Sequence, residues 1–170
     1  MPASEVRWLD ADERRMWVAL AGLLEVLPAA LDAQLRADAD LGSFEYMILA
    51  RLSEEPGEVV AMSELRTFVA GSLSRLSHAL TRLERQRLVE RAPGASGGRS
   101  VDVRLLPAGR ERIESAAPGH VAAVRRLLFD VLSPTQVRQL ERISRTLLES
   151  SAPAVARAVD DAIARTPPPT

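Results

Sequence analysis

Residues 71–106, GSLSRLSHALTRLERQRLVERAPGASGGRSVDVRLL, decide how this chain folds. Apolar residues recur at helical spacing from Ser72 to about Gln86, which predicts an amphipathic helix. Apolar and polar residues then alternate in LVERA (88–92) and again in SVDVRLL (100–106), with the turn-forming PGASGG between them. Because such alternation is typical of half-buried strands, the sequence predicts a β-hairpin after the helix.

A short helix precedes this stretch. SELRTFVA (63–70) begins at a serine that can cap a helix and is followed by Gly71, which can make a tight turn. Two short helices joined by such a turn are typical of a helix-turn-helix. Together with the hairpin they predict a winged helix-turn-helix over residues 41–106, with the recognition helix at about 72–87 and the wing at about 88–106.

The rest of the chain is also predicted to be helical, because its apolar residues follow helical spacing. The predicted helices are residues 10–37, residues 43–53 with Ser43 as the cap, residues 107–133, and residues 134 to about 165. Proline is expected to kink or break the first of these helices at Pro28, to interrupt the third at Pro118, and to bend or restart the last at Pro153. The predicted fold class is mainly α, a winged helix-turn-helix with a small β-hairpin wing, in a single domain of residues 1–170.

The terminal helices carry wide apolar stripes. The winged unit is too small to cover these stripes, so the stripes must pack against each other or against another chain. We therefore expect residues 10–40 and 107–165 to form the dimerisation region of a homodimer.

Charge is unevenly distributed along the 170 residues. The net charge is −1, but residues 66–112 contain ten arginines and four acidic residues and carry +6, which leaves −7 on the remainder. A basic centre within an acidic frame indicates a local binding site for a polyanion. Chance clustering of solvated arginines is the alternative interpretation.

Composition argues against several classes of function. The chain has no cysteine and two histidines, and it contains no HExxH, GxSxG or paired-histidine spacing. We therefore expect no enzyme activity, no metal site and no cofactor. The N-terminus lacks the order of a secretory signal, and no apolar run approaches the roughly 20 residues of a membrane span. A soluble, cytoplasmic protein without a membrane partner is expected.

The predicted recognition helix has two distinct faces. Leu73, Leu76, Ala79, Leu80 and Leu83 lie on one side, which is expected to dock on the domain. Polar residues occupy the opposite side, where arginine can donate two bonds to guanine and hydroxyl groups can reach base edges or phosphates. The residues predicted to contact DNA on this helix are Ser72, Ser74, Arg75, Ser77, His78, Thr81, Arg82 and Arg85.

The hairpin tip, APGASGGR, is small, flexible and free of acidic residues. A single arginine at such a tip, Arg99, can enter a narrow minor groove, where the negative potential is enhanced. A plain solvent-exposed loop is the alternative. A phosphate-binding loop of an enzyme is not indicated, because the loop joins two strands and no GxxxxGK[ST] pattern occurs.

These segments resemble the MarR family of bacterial winged-helix transcription regulators over about residues 10–150. The resemblance is carried by SRLSHALTRLERQRLVER (74–91) and RSVDVRLLPAGRERI (99–113). The family's L-V-x-R strand corresponds to LVER (88–91), and its L-T-x-x-G boundary into the next helix corresponds to LLPAG (105–109). Gly97 stands where the family usually has the aspartate that supports the wing arginine.

The resemblance implies a homodimer that binds a palindromic operator in double-stranded DNA, usually as a repressor. It also implies release from DNA by a small aromatic or carboxylate effector that binds between the dimer helices and the DNA-binding lobe. The residues expected near such a pocket are Trp17, Phe44, Tyr46, Met47 and His120; ordinary core packing is the alternative for each.

A second function remains open at this point. The chain could be a helical dimer of winged-helix ancestry that binds a protein partner and no longer reads DNA. The replaced wing aspartate favours this alternative, whereas the polar arc on residues 74–85 argues against it.

Overall fold

The structure, a computed structural model, describes residues 6–94 and 100–165. Most of these residues are helical, so the predicted mainly α fold class is confirmed. The elements, in chain order, are α1 (Ala11–Ala39), α2 (Ser43–Glu54), β1 (Val59–Ala61), α3 (Met62–Phe68), α4 (Leu73–Arg85), β2 (Val89–Pro93), β3 (Val101–Leu105), α5 (Pro107–Leu127), α6 (Pro134–Ser151) and α7 (Pro153–Arg165). A single 3-10 turn, Phe129–Val131, lies between α5 and α6. The tip of the wing, including Gly97 and Arg99, lies outside the described residues.

The strands form a three-stranded antiparallel sheet with the order β1-β3-β2. The predicted hairpin is confirmed as β2 and β3, in which Arg91 pairs with Val103. The third strand, β1, was not predicted. It pairs Val60 with Val103 on the other side of β3. A strand of three residues is too short to show alternation, and only its pairing with β3 defines it.

The core of the winged unit lies between α2, α3, α4 and the sheet. It consists mainly of leucine, isoleucine and valine side chains that are almost completely buried. Leu76, Leu80 and Leu83 of α4 belong to this core, as predicted. Leu73 does not, because 56% of it is exposed. The first turn of α4 therefore projects beyond the core, toward solvent.

The caps of the helices differ in part from the sequence-based expectation. Asp10 caps α1, and its side chain accepts hydrogen bonds from the backbone N–H groups of Asp12 and Glu13 at 2.8 Å each. Ser43 and Ser63 are not caps, because α2 and α3 begin after Gly42 and Ala61. In α2 the side chain of Glu45 instead accepts from the backbone N–H of Gly42 at 2.9 Å.

Two prolines lie inside helices without breaking them. α1 continues through Pro28 and α5 through Pro118. Of the kink or break predicted at Pro28, the break is therefore excluded, and the interruption predicted at Pro118 is wrong. Both prolines are exposed. A carbonyl that loses its helical donor at such a position can bond to water instead, which lowers the cost of the proline. At Pro153 the prediction is confirmed, because α7 begins there.

The long helix α1 connects the terminal helices to the winged unit. The Asp32 carboxylate accepts from the backbone N–H of Ser43 at 2.8 Å, and Arg112 of α5 donates to the carbonyl of Ala39 at 3.0 Å. By length and composition alone, α1 is apolar enough to cross a membrane, although the sequence was expected to contain no such span. In the fold it packs against α2 and α5.

Large apolar side chains remain exposed on the terminal helices of the single chain. On α1 they include Trp17, Leu23 and Leu24, with 52%, 46% and 59% of each side chain exposed. On α6 they include Ile143 and Leu147. These helices therefore present unpartnered apolar faces, as the sequence pattern predicted.

Candidate nucleic-acid interface

The helix α4 presents a polar surface to solvent. Its cap is Ser72, whose hydroxyl accepts a hydrogen bond from the backbone N–H of Arg75 at 3.2 Å. Its first turn contains no acidic residue. The exposed residues of the predicted DNA-contacting set are Ser72, Ser74, Arg75, His78, Arg82 and Arg85, whereas Ser77 and Thr81 are half-buried. Free backbone N–H groups and cationic side chains therefore share one face of the domain, an arrangement that suits a phosphate backbone.

Arg75 is held against an aromatic ring. Its guanidinium carbon lies 4.2 Å from the centroid of the Phe44 ring, at the start of α2. A cation in that position is attracted by the negative face of the ring. Arg75 is thus oriented by a side chain of a neighbouring helix rather than free in solvent.

Arg82, one of the predicted DNA contacts, forms an ion pair with Glu45. The distance from Nε of Arg82 to Oε1 of Glu45 is 3.1 Å. Glu45 is only 6% exposed, although it carries a charge. Arg82 itself is half exposed, so it compensates the buried carboxylate while part of its guanidinium remains accessible.

A separate ionic contact joins α4 to the wing strand β2. Nε of Arg91 donates to Oε1 of Glu84 at 3.0 Å, and Arg91 also donates to the hydroxyl of Thr81 at 3.2 Å. The hydrogen bond from Arg91 lowers the pKa of the Glu84 carboxyl. The hydroxyl of Thr81 therefore already accepts a hydrogen bond within the protein. No local pattern indicates this contact, because Glu84 and Arg91 lie on different elements.

Arg85 is the least restrained cation of the predicted set. It is exposed, and within residues 6–94 and 100–165 it forms no ion pair. Its guanidinium is therefore available to an external partner.

The residues predicted to line an effector pocket do not all meet. Tyr46 and His120 form a tilted pair, with ring centroids 4.3 Å apart, between α2 and α5. Nδ1 of His120 lies 3.3 Å from Oε1 of Gln34 on α1. Trp17 is on the same helix as Gln34 but about 25 Å farther along it, at 1.5 Å per residue. Phe44 faces Arg75 instead.

The pair of Tyr46 and His120 lies in a partly dehydrated environment. Burial raises the pKa of the Tyr46 phenol, and the carboxylate of Glu54 adds to this effect. Burial lowers the pKa of the His120 imidazole. Met47 is 39% exposed, so it contributes less to this enclosure.

Acidification is expected to destabilise the protein through His120. Because the pKa of His120 is lowered in the folded state, the unfolded state binds a proton more readily. The free energy of unfolding should therefore fall as the pH drops below the ordinary value of 6.5, until the folded-state pKa is passed. Urea unfolding at a series of pH values would show a smaller loss for His120→Gln. An equal loss in both proteins would contradict this assignment.

No group of three or more histidine, cysteine, aspartate or glutamate side chains with the arrangement of a metal site occurs among the described residues. The polar surface of α4 therefore stands as the candidate functional site, with the pair of Tyr46 and His120 as a second, smaller candidate.

Solved structures that are similar to this protein come from MarR family regulators. Sco3205 from Streptomyces coelicolor, solved in complex with DNA, is 37% identical with a TM-score of 0.84, and the match covers 88% of this chain and 94% of that one. AbsC from the same organism is 34% identical with a TM-score of 0.81, covering 85% of this chain and 97% of that one. BldR from Sulfolobus solfataricus, at 22% identity and a TM-score of 0.69, shares the fold over 82% of this chain and 98% of that one.

No family model and no curated protein matches the sequence. Identity above one third over nearly the whole length of Sco3205, together with the winged helix-turn-helix and the exposed polar face of α4, nevertheless defines the family. The chain belongs to the MarR family of transcriptional regulators.

Proposed function

We propose that this protein is a sequence-specific DNA-binding transcriptional regulator whose helix α4 enters the major groove. The observation that carries the proposal is the exposed face of α4, where Ser74, Arg75, His78 and Arg85 lie together. Arginine bonds two acceptors of guanine, and the helix N-terminus favours phosphate. The similarity to Sco3205, which was solved with DNA, supports the same conclusion.

The wing is assigned a supporting contact in the minor groove. In the sequence, β2 and β3 flank the tip that carries Arg99, and this tip lies outside the described residues. An arginine there would bind the narrow groove through its negative potential and would add affinity with little base discrimination.

The regulator acts as a homodimer in this proposal. The predicted dimerisation region, residues 10–40 and 107–165, includes α1 and α6. In the dimer, a second copy of the chain rather than lipid covers the exposed apolar side chains of these two helices. Two copies related by a two-fold axis read a palindromic operator, with half-sites about one helical turn apart. Repression follows where such an operator overlaps a promoter.

An effector is assigned to the space around Tyr46 and His120. The two rings and the amide of Gln34 come from three helices, so a small aromatic or carboxylate molecule inserted there would shift α1 and α5 relative to α2. A ligand acts on DNA binding only by preferring one arrangement of these helices over the other.

We assign this protein to the cytoplasm, to a non-catalytic role and to one undivided domain. No observation on the described residues favours the alternative of a protein-binding module.

Selection of bound sequences from random duplex DNA tests the proposal directly. A palindromic consensus is expected, and affinity for it should fall steeply with salt, because arginines that bind phosphates release counterions. Absence of any enriched sequence, with binding insensitive to salt, would reject the proposed function.

Substitution of two arginines should separate base reading from groove binding. Arg75→Ala is expected to weaken binding to the selected operator by about ten- to a hundredfold and to relax the preference at one base pair. Arg99→Ala should weaken binding with a smaller change in base preference. Fluorescence anisotropy on the operator and on single-base variants measures both. Parent-like affinity of both variants at physiological salt would contradict the docking of α4.

A further inference from the structure

The first turn of α2, residues 43–46, contacts the recognition helix through two adjacent side chains. Phe44 lies against Arg75, and Glu45 forms an ion pair with Arg82. Arg75 and Arg82 are seven residues apart on α4, so they share one face at a spacing of two helical turns. One turn of α2 therefore reaches two positions along the surface that faces DNA.

Phe44 is fixed in place by its surroundings. It packs against the buried core, and a Cβ at Gly71 would come within 2.8 Å of the ring. Any larger residue at that point of the turn before α4 would require the ring to shift, since ring carbons cannot approach a Cβ so closely. The ring therefore lies directly against the turn at Gly71, and the guanidinium of Arg75 lies over one face of the ring.

Glu45 is fixed just as firmly. Its Oε2 accepts from the backbone N–H of Gly42 at 2.9 Å, and its Oε1 forms an ion pair with Nε of Arg82 at 3.1 Å. The carboxylate is nearly inaccessible to water, so its charge favours a cationic partner such as Arg82. Arg82 is therefore drawn toward α2 rather than left free to reach any nearby phosphate.

We propose that Phe44 and Glu45 are positioning residues that orient Arg75 and Arg82 before DNA arrives. This inference rests on the proposed DNA-binding function and concerns the same surface. An arginine that is already oriented loses less side-chain entropy on binding, which improves affinity for the matching base. An arginine that is paired within the protein is less available to unrelated phosphates, which improves discrimination.

The role of Phe44 is tested with Phe44→Leu, and the same substitution in an Arg75→Ala background is the matched control. Phe44→Leu in the parent should weaken binding to the selected operator by about three- to tenfold. In an Arg75→Ala background, Phe44→Leu should change affinity by less than about twofold, because the residue on which it acts is absent. Thermal unfolding of each variant reports any general loss of structure.

The role of Glu45 is tested with Glu45→Gln, which keeps an acceptor for Gly42 but removes the charge that holds Arg82. Binding to unrelated duplexes is expected to strengthen relative to the operator, so that the specificity ratio falls. In an Arg82→Ala background the same substitution should leave that ratio unchanged.

These experiments distinguish a failure of the proposed positioning role from a failure of the proposed DNA-binding function. An equal loss from Phe44→Leu with and without Arg75 would show a merely structural role, as would an Arg75→Ala variant that binds like the parent. An unchanged specificity ratio in Glu45→Gln would remove Glu45 from the proposal. If the parent protein enriches no duplex, the proposed function fails and this inference fails with it.

Discussion

Replacing Gly109 with alanine is expected to lower the free energy of unfolding by about 3 kcal/mol, the upper range for added volume in a packed interior. Gly109 lies in the first turn of α5, where a Cβ would come within 2.1 Å of the backbone oxygen of Leu88 and 2.7 Å of a methyl carbon of Leu105. That oxygen accepts the backbone N–H of Leu106 at 2.9 Å, so it cannot move without breaking the junction of hairpin and helix. Urea unfolding followed by circular dichroism measures the loss.

Gly119→Ala is the matched control in the same helix. A Cβ there would meet only the ends of Asp38 and Gln34 at 3.4 Å, which is ordinary contact with flexible side chains. Because alanine favours helix over glycine, this variant should be neutral or more stable by up to about 1 kcal/mol. If Gly109→Ala proved as stable as Gly119→Ala, the close approach of α5 to the backbone of Leu88 and to Leu105 would be wrong.

The double substitution Ile143→Glu with Leu147→Glu is expected to convert a dimer into monomers and to weaken operator binding by about a hundredfold or more. The two side chains are 56% and 53% exposed on α6, so the fold of one chain does not depend on them. Four carboxylates would meet across a two-fold apolar contact, which is strongly unfavourable. Loss of the dimer removes the gain from binding two half-sites together.

Sedimentation velocity and operator titration measure the two effects. Arg138→Glu is the control, because it also changes the charge by two units per chain but lies on the other side of α6, where Arg138 donates only to the hydroxyl of Thr135. This variant should remain dimeric. A double variant that still sediments as a dimer would show that α6 is not at the interface.

The architecture was predictable because its determinants are local. The helical spacing of Leu76, Leu80 and Leu83 and the alternation in β2 and β3 are short-range patterns, and both predicted their elements. The effects of proline were overestimated, since a proline that faces solvent costs a helix less than a buried one. The strand β1 was missed for a different reason, because its pairing partner is more than forty residues away in the chain.

The site was predictable only as a set of residue types on one face of a helix. The sequence identified the exposed arginines of α4, but it did not indicate that Arg75 rests on Phe44 or that Arg82 pairs with Glu45. These contacts arise from tertiary packing between helices that are separated by β1 and α3. For the same reason Phe44 was assigned to an effector pocket together with Tyr46, although their side chains contact different neighbours.

The contact of Arg91 with Glu84 and Thr81 has a consequence for the spacing of bases within an operator half-site. Because it fastens the wing strand β2 to α4, helix and wing cannot adjust independently to the DNA. Inserting one base pair between the sequence read by α4 and the flanking minor groove should therefore prevent α4 and the wing from binding at the same time. A half-site for this protein has a fixed internal length, and affinity should fall abruptly rather than gradually as that length is changed.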